Sequence, residues 1–176
     1  MLEYSKIEAE RRNNYISHHF EVEHLSSQMR DQIGFLGEFA FCTLLNIDWK
    51  ENIRDNYLTI DDCDLVINEK KIDVKTETIP LNSADKILRN SIKDNDLYGC
   101  RLINEGQVPL LSKYDIVFFG MFIRGHLDYW YPIGYMYTKK ILQNYNVTKI
   151  RPDGGIYPFP AIAVPTSELL KLKTKK

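Results

Sequence analysis

The chain has 176 residues, of which 44% are hydrophobic and 12% aromatic, and a formal net charge of −1. That length supports one domain with a proper core, and the near-neutral charge excludes a strong nonspecific nucleic-acid binder, so any nucleic-acid enzyme of this composition must concentrate its positive charge locally. No apolar run is long enough to span a membrane, no signal-peptide pattern opens the chain, and Cys42, Cys63 and Cys100 are odd in number and widely spaced. The expectation is a cytoplasmic protein with reduced thiols, no structural zinc and no membrane partner.

The chain is expected to form a single domain over 1–176 with an N-terminal helical extension over about 1–24. Leu2 to Tyr15 reads as a charge-rich helix that packs on the domain or mediates a dimer. The following His18-His19-Phe20-Glu21-Val22-Glu23-His24 invites a metal reading, but it matches no zinc motif and reads better as a solvated connector or helix face. A helix is predicted near Leu25 to Asn46; its core, Gln32 to Leu45, is almost wholly apolar and should be buried around most of its circumference. Glu38 sits in the middle of that run, where a lone carboxylate is costly unless it is paired with a buried cation or bound to a metal. Gly34 and Gly37 each weaken the helix by about 1 kcal/mol relative to alanine. Close packing of the helix on a sheet would account for both.

A strand is expected near Tyr57 to Ile60, followed by the most informative stretch of the chain. Asp64-Leu65-Val66-Ile67, the polar break Asn68-Glu69-Lys70-Lys71, and Ile72-Asp73-Val74-Lys75 read as a β-hairpin by strict alternation. A loop of two residues (Glu69-Lys70) or four (Asn68 to Lys71) would set Ile67 opposite Ile72, Val66 opposite Asp73 and Asp64 opposite Lys75. Leu65, Ile67, Ile72 and Val74 then share one face, and Asp62, Asp64, Asp73, Lys75 and Glu77 the other. Carboxylates gathered around a lysine repel one another, and a bound divalent cation would offset that repulsion. Such a group can activate a water for phosphodiester hydrolysis. The alternative is a solvent-facing hairpin whose charges are simply hydrated.

Downstream, a helix is predicted from Ser83 to Lys93, capped by Asn82 or Ser83, with Ala84, Ile87, Leu88 and Ile92 as its apolar stripe. Asn95 to Ser112 has no clean period and reads as a long loop, either over the site or as a surface excursion. Asp115 to Ile123 reads as a buried strand, Arg124-Gly125-His126 as a turn and Leu127 to Tyr135 as the return strand. Thr138 to Tyr145 reads as a short helix, Pro152 to Pro160 as turns and Ala161 to Val164 as a short strand, before a last helical turn capped by Thr166 or Ser167. Candidate basic patches are Lys70 with Lys71, then Lys86, Arg89 and Lys93, and the tail lysines Lys171, Lys173, Lys175 and Lys176. Tyr129, Trp130, Tyr131, Tyr135 and Tyr137 could stack on bases but fit core and sheet surface better.

Glu38 on a helix, Asp64 on a strand and Asp73-Val74-Lys75 on the next strand resemble the PD-(D/E)XK nuclease superfamily. The resemblance covers roughly residues 30 to 125. It implies an α/β fold in which a central mixed β-sheet is flanked by helices, with a restriction-endonuclease-like αβββαβ core. It further implies a Mg²⁺-dependent deoxyribonuclease that cuts internally, with Mn²⁺ able to substitute. Asp64, Asp73 and the Val74 carbonyl would ligate the metal, and Glu38 would hold a second metal or a metal-bound water. Lys75 would orient or activate the attacking water and stabilise charge on the phosphate. The implied partner is DNA, and cutting both strands with one active site per chain would favour a homodimer. Two departures stand out: Cys63 occupies the position of the family's proline, and Thr76-Glu77-Thr78 follows Lys75 where exonuclease-like subfamilies carry a glutamine motif. The same fold used as a noncatalytic nucleic-acid- or protein-binding module is the alternative, and an unrelated α/β interaction domain is a further one.

Overall fold

The computed structural model describes residues 1–13, 26–53 and 63–172. The expected strand at Tyr57 to Ile60 and the histidine cluster at His18 to His24 lie outside the described residues. The fold is mixed α/β. Helices α1 (Leu2–Asn13) and α2 (Ser27–Leu44) precede a hairpin of β1 (Leu65–Ile67) and β2 (Lys70–Ile79). Then come α3 (Leu81–Leu88), β3 (Cys100–Asn104), β4 (Ile116–Ile123), β5 (His126–Tyr137), α4 (Thr138–Asn144), β6 (Val147–Ile150) and β7 (Ile156–Pro165). One sheet has the order β1-β2-β4-β5, with β2 and β4 parallel and the other neighbours antiparallel. A second, antiparallel sheet has the order β3-β7-β6.

The first sheet is covered on both faces. Alternation along β4 sends Phe118 toward Phe41 and Cys42 of α2, with Leu65, Ile72 and Val74, while Phe122 meets Ile33 and Leu36 further along the same helix. Val117, Phe119 and Met121 point the other way, into a core shared with Ile87 of α3, Ile141 of α4 and Ile103, Ile162 and Val164 of the second sheet. Parallel strands buried on both faces read as continuous apolar runs, as β4 does. On the outside of α2, Ala9 of α1 meets Phe35 and Phe39. The N-terminal helix therefore docks on the domain.

Helix α2 starts one turn before its apolar run because the Ser26 hydroxyl accepts the Met29 N–H at 3.2 Å. It lies close to β2 at one point. A Cβ on Gly37 would come within 1.9 Å of Thr76 Oγ1, whereas one on Gly34 would meet nothing within 4 Å. Close packing thus accounts for Gly37 and not for Gly34.

The hairpin register differs from expectation. Leu65 pairs with Ile72, Val66 with Lys71 and Ile67 with Lys70. The loop is Asn68-Glu69, both at positive φ (47° and 64°), the signature of a type I′ turn. The slip is two residues, so the side chains of the paired strands keep their expected faces; Asp62 lies outside the described residues. Other boundaries also moved. Helix α3 begins after Pro80 rather than at Asn82 or Ser83, and ends before Asn90, whose φ of 52° closes the last turn. The segment expected to be a loop from Asn95 to Ser112 holds β3 and a 3-10 helix at Glu105–Lys113. The turn-rich stretch is shorter than expected, because the first half of β7 occupies residues 156–160.

Candidate metal centre and active site

Alternation along β2 puts Asp73, Lys75 and Glu77 on the face turned away from α2, beside Val117, Phe119 and Met121 of the parallel strand β4. Asp73 is 4% exposed, a costly place for a carboxylate unless a cation accompanies it. Lys75 supplies one: its Nζ lies 2.9 Å from Asp73 Oδ1 and 2.8 Å from Oδ2. Burial alone would push the Lys75 ammonium down, but Asp73, Asp64 and the Asp73 hydrogen bond together outweigh it and hold its pKa above the usual lysine value. Lys75 is therefore a fixed cation.

Asp64 reaches this pair from the strand edge. Its N–H donates to the Ile72 carbonyl at 3.0 Å, and its Oδ2 accepts the Val74 N–H at 2.7 Å. The side chain thereby does what a further residue of β1 would do for the ladder. The last pair of the ladder is Leu65–Ile72, so Asp64 lies just beyond it at the edge of β2. In a strand the N–H and C=O of one residue point to the same side, so the Val74 carbonyl lies on the edge that Asp64 occupies.

Two carboxylates and a backbone carbonyl thus converge where β1 leaves β2. All are hard oxygen donors of the kind Mg²⁺ and Mn²⁺ take. Asp73 Oδ2 adds a specific sign of fit: it is buried and, despite its ion pair with Lys75, accepts no properly directed hydrogen bond. Among the described residues, no group of three or more His, Cys, Asp or Glu side chains gathers as a metal cluster.

Glu38 belongs to the other face. It is 7% exposed on α2 and accepts a hydrogen bond from Asn52 Nδ2 at 3.1 Å, from the 3-10 helix Trp49–Asn52. Both Glu38 and Asp64 lie near enough to Cys42 to act on its thiol, whose pKa is pushed up to about 11 by burial first, then by the Glu38 charge, with a smaller push from Asp64. Glu38 thus approaches the site from the helix side of the sheet, while Asp73 and Lys75 face the second layer.

One buried group escaped the sequence reading. Arg101 of β3 is 0% exposed, and each guanidinium nitrogen has a partner: Nε donates to Thr166 Oγ1 at 3.2 Å, Nη1 to Glu77 Oε1 at 2.5 Å and Nη2 to the Tyr98 carbonyl. Burial raises the Glu77 pKa and the Arg101 charge only partly offsets it. The acidic face of β2 therefore continues past Lys75 into an ion pair that ties the two sheets together. The available signal was an arginine set between apolar residues in Cys100-Arg101-Leu102-Ile103.

Two of the basic patches are internally compensated. Lys86 pairs with Asp96, Arg89 with Asp85 and Lys70 with Asp115. Of the aromatics, Trp130 and Tyr135 pack around Phe118, while Tyr129 is 73% exposed. No helix among the described residues is long and apolar enough to cross a membrane. Comparison of the chain with protein-family models, with curated proteins and with solved structures found no match in any of the three.

Proposed function

We propose that this chain is a metal-dependent nuclease that hydrolyses DNA phosphodiester bonds on a restriction-endonuclease-like core. The observation that carries the reading is the convergence of Asp64, Asp73 and Lys75 at one point on β2, with the Asp64 carboxylate on the Val74 N–H and Lys75 on Asp73. The order of elements supports it: α2, then the β1–β2 hairpin, then α3, then β4 parallel to β2. Fold alone would not license the activity; the site residues carry it.

Asp64, Asp73 and the Val74 carbonyl are the groups that would hold Mg²⁺ or Mn²⁺. Bound there, the ion would polarise a phosphoryl oxygen and make a water acidic enough to attack. Lys75, held as an ammonium by its two acidic neighbours, favours charge stabilisation and orientation of the water over proton abstraction. Asp73 and Asp64 keep that ammonium in place. Glu38 fits a supporting role from the helix side, where Asn52 steadies its carboxylate.

The test is cleavage of plasmid and linear DNA with Mg²⁺, Mn²⁺ or EDTA, wild type beside Lys75→Ala. Metal-dependent cutting that falls by 10² or more in the variant is the expected result. Full activity in Lys75→Ala, or in Asp73→Ala, overturns the assignment. DNA binding by the wild type without turnover would instead select the noncatalytic module.

A further inference from the structure

We infer that Arg124, oriented by Tyr98, is a phosphate-contacting site that holds a DNA strand beyond the candidate active centre; this rests on the nuclease reading. Arg124 opens the β4–β5 turn, where its N–H donates to the Ile79 carbonyl at 2.9 Å, at the shared end of the parallel strands β2 and β4. Its side chain is exposed, yet its direction is fixed. Nη2 donates to the Tyr98 hydroxyl at 2.7 Å, and the guanidinium carbon stands 5.9 Å from the centre of the Tyr98 ring. Arg89, Arg101 and Arg151 each hold a carboxylate. Arg124 is exposed and has no carboxylate partner among the described residues. An uncompensated, pre-oriented arginine is the form of side chain that phosphate recognition uses.

Tyr98 is itself held firmly. It has a φ of 75°, a conformation bulky residues rarely adopt. Its carbonyl is fixed by the buried Arg101 guanidinium. Gly99, next in the chain, has no room for a side chain against the Lys93 and Asp94 backbone and gives its carbonyl to Thr166. Arg101 in turn holds Glu77, two residues past Lys75 on the same face of β2. A line of polar contacts therefore ties the Arg124 platform to Glu77, two residues beyond Lys75 on β2. Lys75 lies four residues before Ile79, so the platform sits about 13 Å from it along the strand. That distance suits a contact on the substrate flanking the cut rather than on the scissile phosphate.

The experiment measures binding of a labelled 20-base-pair duplex by fluorescence anisotropy, with Ca²⁺ in place of Mg²⁺, over a range of salt concentrations. Wild type, Arg124→Ala, Arg124→Lys and Tyr98→Phe are compared, with thermal midpoints recorded to show that each folds. Arg124→Ala is expected to weaken binding about ten-fold and to reduce the slope of log K against log salt by about 0.9, one phosphate contact. Arg124→Lys should restore the slope but not the full affinity, and Tyr98→Phe should weaken binding with the slope kept. In the cleavage assay Arg124→Ala should raise KM with little change in kcat. An unchanged slope and KM in Arg124→Ala overturns the site, as does failure of the wild type to bind the duplex. Metal-dependent cutting by the wild type, and its loss in Lys75→Ala, is scored separately. Failure of the nuclease reading therefore shows there, while failure of the Arg124 site shows in the salt slope.

Discussion

Gly34 and Gly37 stand one turn apart on the same helix and carry opposite consequences. Above Gly37 there is no space: Thr76 presents Oγ1, Cβ and Cγ2 all within 3 Å of an added methyl, so rotating the threonine relieves nothing. Thr76 is further fixed by the Trp130 indole N–H, which donates to its hydroxyl at 3.2 Å. Gly37→Ala is expected to destabilise the fold by about 1–3 kcal/mol through overpacking. Gly34→Ala meets open space and should gain about 0.5–1 kcal/mol of helix propensity. Urea unfolding of the two variants checks both, and a shift of the same sign in each would refute the packing argument. The sequence could not separate the two glycines, because both interrupt one apolar helix. What distinguishes them is a threonine forty residues later on β2, a tertiary fact that no local pattern carries.

At the scale of elements, β2 is the organising strand, and Asp64 completes its edge. Asp64→Asn retains an oxygen able to accept the Val74 N–H, so its stability cost should stay within about 1 kcal/mol. Asp64→Ala leaves that N–H without its acceptor, at about 1–3 kcal/mol. Both should abolish metal-dependent cleavage if Asp64 is a ligand. Calorimetry and cleavage assayed side by side separate the two roles, and cutting by Asp64→Asn at the wild-type rate would leave Asp64 only a structural one. The sorting of this hairpin into an apolar and an acidic face was legible, since alternation fixes parity. The register was not, because parity cannot tell a slip of two from none. The turn residues Asn68 and Glu69 decide it: asparagine advertises positive φ, and glutamate does not. Strand β3 was missed for a related reason. Arg101 interrupts its apolar run, and only the buried partners Glu77, Thr166 and Tyr98 make an arginine acceptable there.

For the molecule as a whole, that arginine joins one layer to the other. Glu77 belongs to the first sheet, while Arg101 and the Thr166 beyond β7 belong to the second. Arg101→Ala removes all three bonds and leaves Glu77 carboxylate at the layer boundary. Glu77 keeps a third of its side chain exposed, which tempers the loss. A cost of about 3–4 kcal/mol is expected, toward the lower end for broken buried pairs. Arg101→Lys should recover little of it, since an ammonium cannot serve three fixed directions. Equilibrium unfolding measures this, and a cost below 1 kcal/mol would show that apolar contacts alone hold the layers. The order of elements was largely readable from hydrophobic period, but the division into two sheets was not. It depends on β3 and β7 finding each other across 60 residues.

Both tryptophans of the chain lie against the candidate centre. Trp130 lies flat on Gly120, with its indole nitrogen on Thr76, the neighbour of Lys75. Trp49 begins the 3-10 helix whose Asn52 holds Glu38. The two indoles thus share the helix-facing side of the sheet, one reporting through the strand and one through the helix. Ultraviolet emission from the unlabelled protein is in this sense an optical readout of the two halves of the site, and any ligand that draws helix and strand together has a chromophore on each to disturb.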